Sequence, residues 1–228
     1  MDTGGVMLCV SVPLDTGKRG IKLLEEALRV GDAVEIRLDK GSRKKGSRFL
    51  KYLPKPVLFT YRTKEQGGEG VELRDAVNLI LGYLRHKNAY VDVEYKWPED
   101  IKGAFQRFWG QKVILSHHIL DYTPDIQELE RFYKEMASSR PFAVKIVGYA
   151  RCLEDNLTIK RFLSAHGISG PKLISFLMGP LGVVSRVLCV KWGSYMSFAC
   201  LKGLEMADGQ IPGLVMRELW EDENVFFR

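Results

Sequence analysis

The chain has 228 residues, of which 46% are hydrophobic and 27% are charged, and its net charge at pH 7 is +6. This composition is ordinary for a globular protein and leaves room for one large domain or two small ones. The sequence has no apolar run of the roughly 18 residues that a membrane span needs, and its first residues do not resemble a signal peptide, so we expect a cytoplasmic protein.

Short β-branched or apolar runs alternate with longer amphipathic segments along the chain. The predicted strands cover residues 7–12, 33–39, 56–62, 89–95, 112–118, 142–148, 172–178 and 194–200. The predicted helices cover residues 18–30, 45–53, 71–87, 98–108, 124–139, 152–165, 181–191 and 211–221. Thr123 followed by Pro124 predicts an N-cap and a first helical residue for the fifth helix.

This alternation predicts an α/β fold, because eight strands that alternate with eight helices favour parallel pairing. Eight units in this length fit a (β/α)8 TIM barrel, which we expect to occupy residues 1–228 as a single domain. A doubly wound open sheet is the alternative. Such a sheet usually carries a GxGxxG turn after its first strand, and the segment at 11–20 lacks it.

The cysteines and the most basic stretch do not point to a metal or to a nucleic acid. Cys9, Cys189 and Cys200 lie in apolar runs and no CxxC pair occurs, which indicates free buried thiols rather than a zinc site. The basic stretch at 40–48 lacks the aromatic residues that stack on bases, so we expect an ordinary solvated segment there.

Charged and polar side chains interrupt five successive predicted strands, although parallel strands covered on both faces are usually apolar throughout. These side chains are Glu35, Arg37, Asp39, Arg62, Asp92, Glu94, Ser116, His117, His118 and Lys145. Ser11 follows on the first strand, Met178 and Arg186 lie at and beyond the end of the seventh, and Gln210 comes after the eighth. Because the C-terminal ends of barrel strands surround the active site, this pattern predicts a site rather than structural ion pairs alone.

The residue types in this pattern favour imine chemistry. Lys145 lies in the otherwise apolar run FAVKIVGYA at 142–150, where burial lowers the pKa of an amine and keeps it neutral. A neutral amine attacks a carbonyl to form a Schiff base, and a histidine on the preceding strand can move protons. Arginines at three separate places suit a carboxylate substrate. Elimination of water and aldol cleavage both fit this chemistry.

Several segments in a fixed order carry a family resemblance. They are EIRLD at 35–39, FTYRTKEQGG at 59–68, VDVE at 91–94, LSHH at 115–118, TP at 123–124, VKI at 144–146, MGPLGVVSR at 178–186 and GQIP at 209–212. In this order and spacing the sequence resembles the type I 3-dehydroquinate dehydratases of the shikimate pathway. The resemblance implies a (β/α)8 barrel without a metal or cofactor. It also implies the small-molecule substrate 3-dehydroquinate, a homodimer, and no nucleic-acid or membrane partner.

The resemblance also implies roles for individual residues. Lys145 is the expected Schiff-base lysine, and His118 is the expected proton donor and acceptor. Residues expected to bind the substrate are Glu35, Arg37, Arg62, Arg186, Gln210 and, more weakly, Ser11. Asp92 and Gln66 are expected to contact the catalytic groups from behind. Met178 and Phe198 are expected to line the site as apolar residues.

The choice between the adjacent histidines rests on the motif and on strand alternation. The base of the family is the second residue after the serine of LSHH, which selects His118. Alternation along a strand points His117 the opposite way, toward the helices.

Three features depart from the family pattern, and one of them is Ile119, which stands where the family commonly has Asp after the catalytic histidine. Gln66 takes the place of an acid before Gly-Gly, which removes a negative neighbour and is expected to lower the pKa of the histidine. The segment LKGLEMADGQIP at 201–212 has no Ser or Thr before its glutamine, so we expect the lid over the site to lose some hydrogen bonding.

Two other functions remain alternatives at this point. A Schiff-base aldolase for sugar phosphates would share the barrel and the imine, and MGPLG at 178–182 resembles a phosphate-binding loop, but Arg186 and Gln210 match the dehydratase better. A barrel that binds nucleic acid through residues 40–48 would leave Lys145 unexplained.

Overall fold

The computed structural model describes residues 7–15, 17–41, 54–70, 72–83, 87–166 and 170–222. The predicted helix at 45–53 and most of the basic stretch at 40–48 lie outside the described residues.

Eight parallel strands form the centre of the fold. They are β1 (Met7–Leu14), β2 (Ala33–Gly41), β3 (Val57–Thr60), β4 (Ala89–Glu94), β5 (Val113–His118), β6 (Ala143–Tyr149), β7 (Lys172–Met178) and β8 (Met196–Cys200). They pair in the order β7-β6-β5-β4-β3-β2-β1-β8. The two edges meet where the Tyr195 N–H donates to the Leu173 carbonyl at 2.7 Å. The sheet is therefore a nearly closed barrel, and the predicted (β/α)8 fold is confirmed.

Seven described helices cover the barrel. They are α1 (Lys18–Val30), α2 (Leu73–Tyr83), α3 (Glu99–Trp109), α4 (Ile126–Ala137), α5 (Asp155–Ala165), α6 (Val183–Leu188) and α7 (Gly213–Glu221). Short 3-10 turns occupy Lys64–Gln66, Gly110–Lys112, Pro180–Gly182 and Cys189–Trp192. None of the helices in the described ranges has the length and apolar character that a membrane crossing requires.

The predicted start of the fifth helix is wrong. The helix α4 begins at Ile126, and the Asp125 side chain caps it by accepting the Glu128 N–H at 2.8 Å. The Thr123 hydroxyl instead donates to the Tyr149 carbonyl at 2.9 Å, which ties this loop to the end of β6. Because the threonine is committed to that contact, the next acid along the chain takes the capping position.

The third strand is shorter than predicted, and this places an arginine in the loop beyond it. The strand β3 ends at Thr60, and the Arg62 N–H then donates to the side-chain carboxylate of Asp39 on β2 at 3.2 Å rather than to a backbone carbonyl of that strand. The chain therefore leaves the sheet two residues before Arg62, at the end of the barrel where the charged side chains gather.

Candidate active site

Lys145 is buried on β6, with only 4% of its surface exposed. Its Nζ lies 3.8 Å from the centre of the Phe198 ring and 3.8 Å from Asp92 Oδ2. Burial lowers the pKa of this amine, the Glu35 and Asp92 carboxylates oppose the shift, and the Arg62 guanidinium adds to it. The net result is a lysine whose neutral form is more accessible than that of a surface lysine.

A fixed ion network lies beside this amine. Arg62 Nη2 lies 2.7 Å from Asp92 Oδ2, and its Nη1 lies 3.1 Å from Glu94 Oε1 and donates to Ser116 Oγ at 2.9 Å. Ser116 in turn donates to Asp92 Oδ1 at 2.5 Å. Burial opposes the charge on Arg62, but the two carboxylates outweigh it and raise the pKa of the guanidinium. Asp92 and Glu94 are therefore committed carboxylates that hold Arg62 in one place.

Glu35 on β2 is also held in one orientation. Its carboxylate accepts hydrogen bonds from the Ser11 hydroxyl at 2.6 Å and from the Thr60 hydroxyl at 2.7 Å. Its orientation is therefore fixed by one hydroxyl donor from the neighbouring strand β1 and one from the neighbouring strand β3.

Arg37 on the same strand links the site to the loop after β8. It donates to both oxygens of Asp39, at 2.9 and 2.7 Å, and to the Met206 carbonyl at 3.1 Å. Burial opposes ionisation of Asp39, but the bond and the charge of Arg37 lower the pKa of this carboxyl overall. The pair is therefore ionised, and Arg37 anchors the loop over the barrel.

His118 ends β5, next to β6. The two strands pair His118 with Val147, two residues beyond Lys145, so the imidazole and the amine lie on the same face of neighbouring strands. Among the described residues His118 Nδ1 has no hydrogen-bond partner. Burial lowers the pKa of His118 well below its ordinary value, and the charges of Arg62, Lys145 and Arg37 add to the effect. The ring is therefore neutral at pH 7 and can accept a proton.

His117 points away from the site, as alternation predicts. Its ring packs edge-on against Phe132 of α4 with centroids 4.8 Å apart, and it lies 5.6 Å from the Tyr95 ring. Burial, with a contribution from Lys96, lowers its pKa to about 4. This histidine is a neutral packing residue in the helix layer.

Gln66 holds the end of β5 from the side. Only 3% of it is exposed, and its Oε1 accepts the His118 backbone N–H at 2.7 Å. The strand β4 pairs with β5 only as far as Ser116, so the backbone N–H of His118 lies beyond the last residue pair that joins these two strands. The glutamine amide therefore replaces a missing strand contact and fixes the backbone that carries His118.

The loop after β8 closes over the site through Gln210. Its Oε1 accepts the N–H groups of Met206 and Ala207 at 2.7 and 3.2 Å, and its Nε2 donates to Ser11 Oγ at 3.3 Å. The glutamine amide therefore holds the loop in the absence of a serine.

Two glycines allow this loop to approach the one that follows β7. A Cβ on Gly209 would clash with the Gly179 carbonyl oxygen, and both glycines have positive φ angles, +73° and +82°. Any larger residue at Gly209 would force the two loops apart.

Arg186, on α6, is 1% exposed. Its Nη2 donates to the Asp208 carbonyl at 3.1 Å and its Nη1 to the Phe198 carbonyl at 3.5 Å. Its Nε has no hydrogen-bond partner among the described residues. Burial lowers the pKa of this guanidinium to about 10, which still leaves it charged at pH 7.

A small cavity of about 40 Å³ joins these groups. It is lined by Glu35, Arg37, Arg62, His118, Lys145, Val147, Phe176, Met178, Arg186, Phe198, Ala207 and Gln210. Nine predicted site residues are among them. The other three lie behind the wall: Ser11 contacts Glu35 and Gln210, Asp92 contacts Arg62 and Lys145, and Gln66 contacts His118.

The sequence interpretation missed Phe176, Val147 and Ala207 as lining residues. The alternation of side chains offers a signal for two of them, because Phe176 lies two residues before Met178 and Val147 two residues after Lys145. Within the described parts of the chain, no three His, Cys, Asp or Glu side chains are placed to hold a metal ion.

Comparisons with known proteins point to one enzyme family. Residues 8–223 match the family model described as type I 3-dehydroquinase. The chain is 30% identical to the 3-dehydroquinate dehydratase of Methanocaldococcus jannaschii over 94% of its length and 97% of that protein. It is 29% identical to the enzyme of the same name from Desulfotalea psychrophila, over 93% of this chain and 96% of that protein.

Solved structures agree with the fold. The 3-dehydroquinate dehydratase of Geobacillus kaustophilus superposes with a TM-score of 0.82 at 23% identity, covering 98% of this chain and 93% of that one. By the family match over nearly all of its length, this chain belongs to the type I 3-dehydroquinase family.

Proposed function

We propose that this protein is a hydro-lyase, a 3-dehydroquinate dehydratase of the shikimate pathway, that removes water from 3-dehydroquinate through an imine on Lys145. One observation carries this proposal: a buried lysine with a lowered pKa and a neutral histidine lie on the same face of neighbouring strands. The names of the relatives indicate which substrate is used, and the residues of this chain indicate how the reaction proceeds.

The first step is attack by the neutral Lys145 amine on the C3 carbonyl of the substrate. The carbinolamine then loses water to give an iminium ion, with His118 handling the protons of this exchange. Because the Asp92 carboxylate lies 3.8 Å from Nζ, the positive charge of the iminium develops beside a fixed negative charge.

The second step is the elimination. His118 removes the C2 proton, the C2–H electrons move into the iminium to form an enamine, and those electrons then expel the C1 hydroxyl. The proton on His118 leaves with this hydroxyl as water. Hydrolysis of the conjugated iminium releases 3-dehydroshikimate and regenerates the amine of Lys145.

The wall of the cavity supplies the substrate contacts. Arg186 is the proposed partner of the substrate carboxylate, because Arg37 and Arg62 already pair with acids. The hydroxyl groups of the substrate are then left to face Glu35, Arg37, Arg62 and Gln210. Ser11 acts through Glu35 and Gln210, to which it is hydrogen bonded.

The setting of the enzyme is also part of the proposal. We infer a cytoplasmic homodimer of one domain per chain that acts without a metal or cofactor and has no nucleic-acid partner. Sedimentation of the purified protein tests the dimer. A monomer mass at micromolar concentration would contradict it.

The activity is tested by following the ultraviolet absorbance of the enone that forms from 3-dehydroquinate. We expect saturable absorbance growth that persists after dialysis against a chelator. Absence of enone formation contradicts the proposed function, and cleavage of a carbon–carbon bond would point to an aldolase instead.

Gln66→Glu is expected to change the pH profile of turnover. His118 must be neutral to take a proton, so kcat/KM falls as the pH drops through the pKa of its imidazole. A carboxylate at position 66 stabilises the imidazolium and raises this pKa, because the charged neighbours that now lower it are the cations Arg62, Lys145 and Arg37. In a plot of log(kcat/KM) against pH, we expect the fall on the acid side to begin at a pH about one unit higher than in the wild type.

The matched control is Lys64→Gln, which makes the same change in net charge at an exposed position of the same 3-10 turn. We expect the acid limb of this variant to coincide with that of the wild type. If kcat/KM of Gln66→Glu falls at the same pH as in the wild type, a charge at position 66 does not affect the pKa of His118.

A further inference from the structure

Arg186 differs from the other two arginines of the cavity in its partners. Arg37 and Arg62 each form short ion pairs with carboxylates, whereas among the described residues no ion pair joins Arg186 to an acid. A guanidinium that is 1% exposed and has no counterion is expensive to bury, so another interaction must hold its charge.

The acids and thiols nearest to Arg186 form no ion pair with it. The Glu35 carboxylate, which favours the charge on Arg186 from across the cavity, accepts instead from the Ser11 and Thr60 hydroxyls. The Asp208 carboxylate accepts the Tyr149 hydroxyl at 2.7 Å and offers Arg186 only its backbone carbonyl. Burial raises the pKa values of Cys189 and Cys200 to about 11, so both thiols are neutral at pH 7. In the described part of the chain, two carbonyl oxygens are the remaining hydrogen-bond partners of Arg186, and one of them is 3.5 Å away.

An aromatic ring takes the place of the counterion. The central carbon of the Arg186 guanidinium lies 4.5 Å from the centre of the Phe176 ring. Phe176 packs on Phe198, with centroids 5.9 Å apart, and the Phe198 ring faces the Lys145 amine. Each ring of this pair therefore faces one buried basic group, and a π face attracts the Arg186 cation without neutralising it.

We propose that Phe176 is a positioning residue for the substrate carboxylate: its ring holds the guanidinium of Arg186 in the cavity without a carboxylate, so the first anion that Arg186 pairs with is that of the substrate. This inference rests on the proposed function. A carboxylate in place of the ring would stabilise Arg186 equally well, but it would compete with the substrate for the same guanidinium edge. The ring leaves that edge free.

The test is the kinetics of Phe176→Leu with 3-dehydroquinate. Leucine keeps the site apolar and removes the π face, so Arg186 loses its orientation. We expect KM to rise roughly tenfold, in the range of a desolvated cation–π contact, while kcat stays within about twofold of wild type. The control is Phe162→Leu, a fully buried phenylalanine of α5 that packs on Tyr133 and His166 away from the cavity. It should lose stability and keep its KM.

A double-mutant cycle separates action through Arg186 from simple repacking. In an Arg186→Met background the Phe176→Leu change should have little further effect on kcat/KM, because the cation it positions is gone. Additive losses would overturn the inference, as would an unchanged KM in Phe176→Leu. Should that variant not fold, Phe176→Met is measured in the same cycle.

The two proposals fail in different ways. A wild-type enzyme without dehydration activity contradicts the proposed function. An active wild type with an unchanged KM in the Phe176 variants contradicts only the role of Phe176.

Discussion

Lys145→Ala is expected to reduce kcat for dehydration of 3-dehydroquinate by more than about 10⁴-fold, because the imine that makes the C2 proton acidic cannot form. Alanine also leaves the Asp92 carboxylate without the amine that lies 3.8 Å from it, although Arg62 still pairs with this acid. The variant should therefore fold, bind substrate and fail in chemistry. Steady-state kinetics and circular dichroism together measure this.

Two controls make this result specific. Lys160→Ala removes an exposed lysine of α5 and should leave kcat unchanged. In Lys145→Met an apolar side chain of similar length fills the space of the lysine, so a loss of activity in both Lys145 variants reports on the amine rather than on packing. A Lys145 variant with raised KM and an unchanged turnover number would assign the lysine a binding role instead.

His118→Ala is expected to slow turnover by about 10²- to 10⁴-fold, the range of a lost general acid and base. Since Lys145 remains in this variant, the imine can still form, and we expect a covalent enzyme–substrate species to accumulate. Intact-mass spectrometry during turnover measures that species directly, and the steady-state rate measures the loss.

His117→Ala is the matched control for the adjacent position. Its ring packs on Phe132 and Tyr95 in the helix layer, so its removal should lower the melting temperature and leave kcat near the wild-type value. Equal losses of kcat in the two histidine variants would contradict the assignment of His118 as the base.

The barrel could be predicted because eight strand-like runs alternate with eight helix-like runs along the chain. Buried charges on successive strands have few structural explanations, which predicted the site, and the family motif together with alternation along the strand separated His118 from His117. Nine residues named from the sequence line the cavity, of which the strand ends supplied eight and the family resemblance supplied Phe198. Phe176 was missed because an aromatic residue in a buried strand has an ordinary core explanation, and only the guanidinium 4.5 Å away gives it another.

Contacts between loops could not be predicted, because they depend on which side chain reaches a free backbone group. The Thr123 hydroxyl bonds to Tyr149 instead of capping α4, and the Gln66 amide reaches across the end of β4 to the His118 N–H. The missing serine predicts a loss of lid hydrogen bonding, yet the amide of Gln210 makes three bonds within this region. Spacing along the chain does not encode such geometry.

The most direct test of the central claim is reduction of the enzyme with borohydride in the presence of 3-dehydroquinate, followed by peptide mass spectrometry. We expect one added ligand mass per chain, carried by the peptide that contains Lys145 and absent from Lys145→Ala. An enzyme that turns over substrate but acquires no mass at Lys145, or acquires it at another lysine, would contradict the account.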